Sequence, residues 1–221
     1  MLHEPGSDPI YRSSFSRVAE PEVRGGLLTW RADALGCSII GQAEQAPFGL
    51  RLLDRDDGTV DWQCQACPAH MQVMMSDGTV LSGLGYAERL TLSLAPWRLP
   101  IDELRWGRWI AAEGSRSLVW IDWRGAHPLT AVFVDGVRQE AATVDDDRVA
   151  GADVILVLTD QRTLHRRALR DVIGAVRPLA RAFPASWLDV EDCKWMSLGT
   201  LQVAGARPES GWAIHEHVRF P

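Results

Sequence analysis

Alternation of apolar and polar residues at a period of two runs through most of this chain, and that period belongs to half-buried strands. Leu27–Trp30, Cys37–Ala43, Phe48–Leu53, Thr59–Cys64, His70–Met75 and Thr79–Leu84 each read as a strand. So do Tyr86–Leu94, Leu104–Ala111, Leu129–Val134, Val137–Thr143, Ala152–Leu158 and Cys193–Val203. Leu118–Trp123 is apolar on both faces, as a central strand is. Asp-Gly steps at Asp57-Gly58, Asp77-Gly78 and Asp135-Gly136 separate consecutive strands and signal tight hairpins. The pattern predicts an all-β, antiparallel meander built from hairpins. Residues 163–176 fit either one short helix capped by Asp160 or two short strands split near Asp171. Residues 1–24 are polar and turn-rich and read as an arm, with 25–221 forming a single barrel-like domain.

The same alternation drives charged groups inward. With Leu90, Leu92 and Leu94 on the core face, Tyr86 and Glu88 share it. With Leu104, Trp106 and Ile110 inward, Arg108 is the natural partner of Glu88. In the last segment Trp212, Ile214, Val218 and Phe220 are the apolar set, which places Glu216 inward and His215 and His217 on the opposite face. A buried unpaired carboxylate carries a desolvation penalty, so such groups pair, stay protonated or line a wet cavity. Two inward carboxylates with separated pKa values suit general acid/base work. Glu88, Glu216, Tyr86 and Arg108 are therefore the candidate catalytic residues. The competing structural reading is a buried ion pair. Trp106, Trp120 and Trp212, with Asp122 beside them, are the candidate ligand contacts. Asp122 also has Arg105 and Arg124 as possible ion-pair partners.

Composition narrows the partners. The chain has 221 residues, 46% of them hydrophobic, and a net charge of −6. That charge argues against a nucleic-acid backbone as partner. No apolar run reaches membrane-span length and the N-terminus has no secretory pattern, so a cytoplasmic protein with reduced cysteines is expected. Cys64-Gln-Ala-Cys67 lacks a second pair, and His215-x-His217 lacks evident upstream ligands, so no metal and no cofactor is expected, with a metal-dependent barrel using His215, His217 and one or two carboxylates as a third reading. Nucleophile-elbow, HExxH and glycine-rich phosphate signatures are absent.

Gly83-Leu-Gly-Tyr-Ala-Glu88, Trp106-Gly107, the strand Leu118–Trp123 and Ile214-His215-Glu216 together resemble the lipocalin-like carotenoid 1,2-hydratase (hydroxyneurosporene synthase) superfamily. The lipocalin-type Diels–Alderases are among its relatives. The resemblance implies a calycin-like barrel with an apolar pocket and an interior acid. The function expected is cofactor-independent acid/base chemistry on an apolar small molecule, such as cyclisation, isomerisation or hydration of an alkene-containing metabolite. A non-catalytic carrier of a hydrophobic ligand is the alternative. Oligomeric state is not readable from the sequence.

Overall fold

The computed structural model describes residues 19–173 and 183–221. Residues 1–18 of the expected arm, and 174–176 of the ambiguous segment, lie outside that description. The fold is all-β and antiparallel with one short helix, and it divides into two compact units. Unit 1 takes the described part of Met1–Phe48 together with Cys64–Arg89, and unit 2 takes Gly49–Gln63 and Leu90–Pro221.

Unit 1 is a sheet of β1 (Glu22–Arg24), β2 (Leu27–Ala32) and β3 (Cys37–Ala43). It continues into the later part of β5 (Gly58–Met75) and the first part of β6 (Val80–Leu92). Leu28 and Ala32 on β2, and Ala69, Val73 and Met75 on β5, are buried at positions of one parity on each strand, whereas residues 66–69 are buried consecutively. The Asp77-Gly78 hairpin joins β5 to β6, and Asp77 Oδ1 accepts from the Thr79 amide at 2.9 Å.

Unit 2 begins with β4 (Phe48–Arg55), paired to the start of β5 across the Asp57-Gly58 turn. Its main sheet contains β7 (Glu103–Ala111), β8 (Ser117–Arg124), β9 (Leu129–Val134), β10 (Val137–Arg138), β11 (Thr143–Val144) and β12 (Arg148–Ala150). The long strands β13 (Val154–Ala168), β14 (Glu191–Val203) and β15 (Glu209–Arg219) complete it, in the order β10-β9-β8-β7-β15-β14-β13-β12-β11. Asp135 and Gly136 both adopt positive φ, 50° and 78°, between β9 and β10. That is the geometry of the primed turns that Asp-Gly favours. The sheet curls, and its ends approach each other. The Arg124 guanidinium on β8 donates to the Val144 carbonyl on β11 at 3.0 Å, and the Ala152 amide donates to Glu140 O at 2.9 Å.

Inside the curl, Trp109, Leu118, Trp120, Val132, Leu156 and Leu201 are buried together. The opposite face of β7, β8 and β9 is covered as well. Trp62 lies there with its ring centroid 6.2 Å from Trp106 and 5.7 Å from Phe133. This double cover is why β8 is apolar on both faces.

In the segment 163–173 the strand β13 runs on to Ala168, and a helix, α1 (Leu169–Ile173), follows. Asp171, not Asp160, caps it, accepting from the Ala168 amide at 2.9 Å. Asp160 instead takes positive φ, 48°, where β13 changes register against β14.

Candidate functional site

Strand register aligns interior residues of unit 2 into rungs that run across the sheet. The deepest useful rung is Ser197, Ala213, Trp109 and Leu118. Above it lie Trp195, His215, Gly107, Trp120 and Val132. The next is Arg166, Cys193, His217, Arg105, Asp122 and Thr130. The outermost is Glu191, Arg219, Glu103 and Arg124. The interior thus passes from apolar to aromatic to charged over successive steps of two residues.

Close packing explains the residue types. A Cβ on Gly107 would stand 2.1 Å from Trp120 Cζ2 and 2.6 Å from His215 Cβ. A Cβ on Gly199 would stand 2.4 Å from Trp109 Cδ1, whose indole nitrogen donates to the Gly199 carbonyl at 3.0 Å. Large rings from β7 and β8 fill the curl, so the strands facing them carry glycine and alanine. Gly107→Ala is expected to destabilise the protein by about 2 kcal/mol through overpacking, read as a fall in the urea midpoint.

His215 sits in the aromatic rung, 7% exposed, with ring centroids 5.3 Å from Trp195 and 6.1 Å from Trp120. Its Nε2 is 2.9 Å from Ser197 Oγ, which is fully buried. Burial pushes the imidazole pKa down to about 4, so the ring is neutral at pH 7.

The charged rungs are tied together at Glu103. Its Oε1 accepts from Arg105 Nε at 2.6 Å, pairs with Arg124 Nη1 at 3.2 Å and lies 3.2 Å from His217 Nε2. Burial works to raise the Glu103 carboxyl. The Arg105 hydrogen bond and the charges of His217, Arg105 and Arg124 outweigh it and hold the group below the usual carboxylate range. Arg105 Nη1 also reaches Asp146 Oδ1 at 2.5 Å. Asp122 accepts from Arg124 Nε and from Thr130 Oγ1, both at 2.7 Å. Burial lowers the His217 pKa below its ordinary value; Glu103 opposes this, while Arg105 and Arg219 reinforce it.

These side chains border a cavity of about 350 Å³ whose lining includes Arg105, Arg166, Cys193, Trp195, His217 and Arg219. That volume lies within the range of small-molecule sites. Burial pushes the Cys193 thiol pKa up, which makes it a poor nucleophile at neutral pH. Among the described residues no three His, Cys, Asp or Glu side chains are grouped to hold a metal ion.

The residues singled out from the sequence fall in several places. Trp120 and Asp122 line the interior of unit 2, and Asp122 pairs with Arg124. Arg108 and Trp106 lie on the other face of β7, where Arg108 is 6% exposed and its Cζ is 5.7 Å from the Trp106 ring. Tyr86 and Glu88 are half-buried on β6 in unit 1, with Glu88 Oε1 shielded from solvent. Leu90, expected on their core face, is 44% exposed.

The expected orientation of β15 is reversed. Gly211, Ala213 and His215 are buried, whereas Trp212 is 42% exposed and Glu216 pairs with Lys194 Nζ at 2.7 Å on the opposite face. The physical reason is the one above: Trp109 and Trp120 occupy the volume beside β15, so its interior positions are small or histidine. The sequence signal for this was Gly211-x-Ala213-x-His215-x-His217, small residues giving way to imidazoles on one parity. Arg105, Glu103, Cys193, Trp195 and Ser197 were not among the residues expected at a site.

The sequence matches no protein family profile, and no curated protein matches it. A solved structure of CghA with Sch210972 is similar in the course of its chain, at 11% identity and a TM-score of 0.46. The match covers 92% of this chain and 73% of that one. Likeness at that level speaks to neither ligand nor reaction.

Proposed function

We propose that unit 2 binds a small organic molecule in the mouth of its curled sheet and transfers a proton on it, with His217 as the acid/base group. One observation carries the reading: the His217 imidazole lines a 350 Å³ cavity with Glu103 Oε1 3.2 Å from its Nε2. A carboxylate so placed orients the ring and stabilises the imidazolium that forms when His217 takes a proton. Trp195 supplies an apolar floor, and the reaction classes this supports are isomerisation, cyclisation or hydration without a cofactor. The acid/base role expected of Glu216 thus passes to its neighbour on the other face of β15.

The experiment is incubation of the purified protein with a small-molecule extract, followed by mass-spectrometric comparison. Wild type is expected to deplete one mass and produce another, and His217→Gln to slow that conversion about 100-fold. Equal conversion by the two proteins removes His217 from the chemistry. A compound retained without conversion supports the second reading, a carrier, which the Trp195 ring in the cavity lining favours.

A further inference from the structure

The cavity in unit 2 has more cationic side chains than its own carboxylates occupy. Its lining includes three arginines, Arg105, Arg166 and Arg219, against two carboxylates, Asp146 and Glu191. Arg105 is committed, at 2.6 Å to Glu103 and 2.5 Å to Asp146. Arg166 Nη2 is held only at 4.0 Å from Glu191 Oε2. Arg219 stands in register between Glu191 on β14 and Glu103 on β7. It makes no ion pair with either among the described residues, because Glu103 gives its carboxylate to Arg105, Arg124 and His217.

Two register shifts in β13 bring Arg166 opposite Cys193, one rung in from Arg219, so both guanidiniums reach the same cavity. A guanidinium presents a planar fork of donors that matches an oxyanion. Beneath them is Trp195, held in place by the His215 ring 5.3 Å away.

We propose that the ligand of this cavity is a planar organic monoanion, its carboxylate-like group held between Arg219 and Arg166 and its ring against Trp195. The inference rests on the reading of the cavity as the ligand site, and it adds the substrate class. The guanidinium forks of Arg219 and Arg166 match a carboxylate-like group, and an acid group fixed beside His217 would orient the adjacent carbons for proton transfer.

The test uses two fluorescent probes of nearly equal shape, anionic 1-anilinonaphthalene-8-sulfonate and neutral N-phenyl-1-naphthylamine. Wild type is expected to bind both, in competition with each other. Arg219→Gln is expected to weaken the sulfonate about tenfold, the size of one lost charge-assisted hydrogen bond, and to leave the amine within twofold. Arg219→Lys, which keeps the charge but not the fork, should fall between. Sulfonate affinity unchanged in Arg219→Gln, or an equal loss for both probes, overturns the anionic assignment while leaving the cavity a ligand site. Binding of neither probe by wild type overturns the cavity reading itself. Far-UV circular dichroism reports separately that the Arg219→Gln variant has folded.

Discussion

Trp109→Ala is expected to lower the free energy of unfolding by about 4 kcal/mol. Trp109 is fully buried at the centre of the curled sheet, and its indole nitrogen donates to the Gly199 carbonyl at 3.0 Å. The substitution empties the volume for which Gly199 and Ala213 were kept small, and it leaves a buried carbonyl without its donor. Neither neighbour can refill that space, since neither has a side chain long enough. Trp109→Phe keeps most of the ring and should cost less than half as much. Urea unfolding followed by far-UV circular dichroism measures both. A loss below 1 kcal/mol for the alanine variant would mean that Trp109 is not the centre of the packing.

Acid should weaken the protein through His215. Burial holds its pKa at about 4 in the folded state against 6.5 when unfolded. Above pH 6.5 the ring is neutral in both states and contributes no pH dependence. As pH falls from 6.5 towards 4, the unfolded chain takes up a proton that the folded chain does not, so unfolding is favoured. The slope is about 1.4 kcal/mol per pH unit at its steepest, and the whole window amounts to roughly 3 kcal/mol. His215→Gln should remove that part of the pH dependence while keeping a polar partner for Ser197. Stability measured at pH 7.5 and pH 4.5 on both proteins gives the comparison. Parallel losses in wild type and variant would show that His215 is not buried as described.

The hairpins were legible because their signals are local. Asp-Gly specifies a turn whose two central residues accept positive φ, and Asp135 and Gly136 adopt it. The two-sided burial of β8 was legible because Leu118–Trp123 is apolar at every position but one. Parity on β15 was not. Trp212 and Ile214 outweigh Ala213 and His215 on any hydrophobicity scale, yet the curl is filled by rings that belong to other strands. Which face is interior therefore depends on Trp109 and Trp120, about a hundred residues earlier in the chain. The site was hidden for the same reason. Arg166, Cys193, His217 and Arg105 become one rung only through the registers of β13, β14, β15 and β7. The place of Arg166 depends on two register shifts within β13 that no pattern on a single strand announces. Glu88 is half-buried with its Oε1 withdrawn from solvent, while Leu90, expected on the same core face, is 44% exposed.

The central claim is that the ligand site is the charged mouth of unit 2, above Trp195, with His217 at its side. Histidine-ring and backbone NMR spectra recorded during titration with N-phenyl-1-naphthylamine test it most directly. The expected result is perturbation of His217, Cys193 and Trp195 resonances, abolished in Cys193→Trp, whose added ring fills the cavity. Perturbations centred on Tyr86 and Glu88 in unit 1, with His217 unmoved, would contradict it.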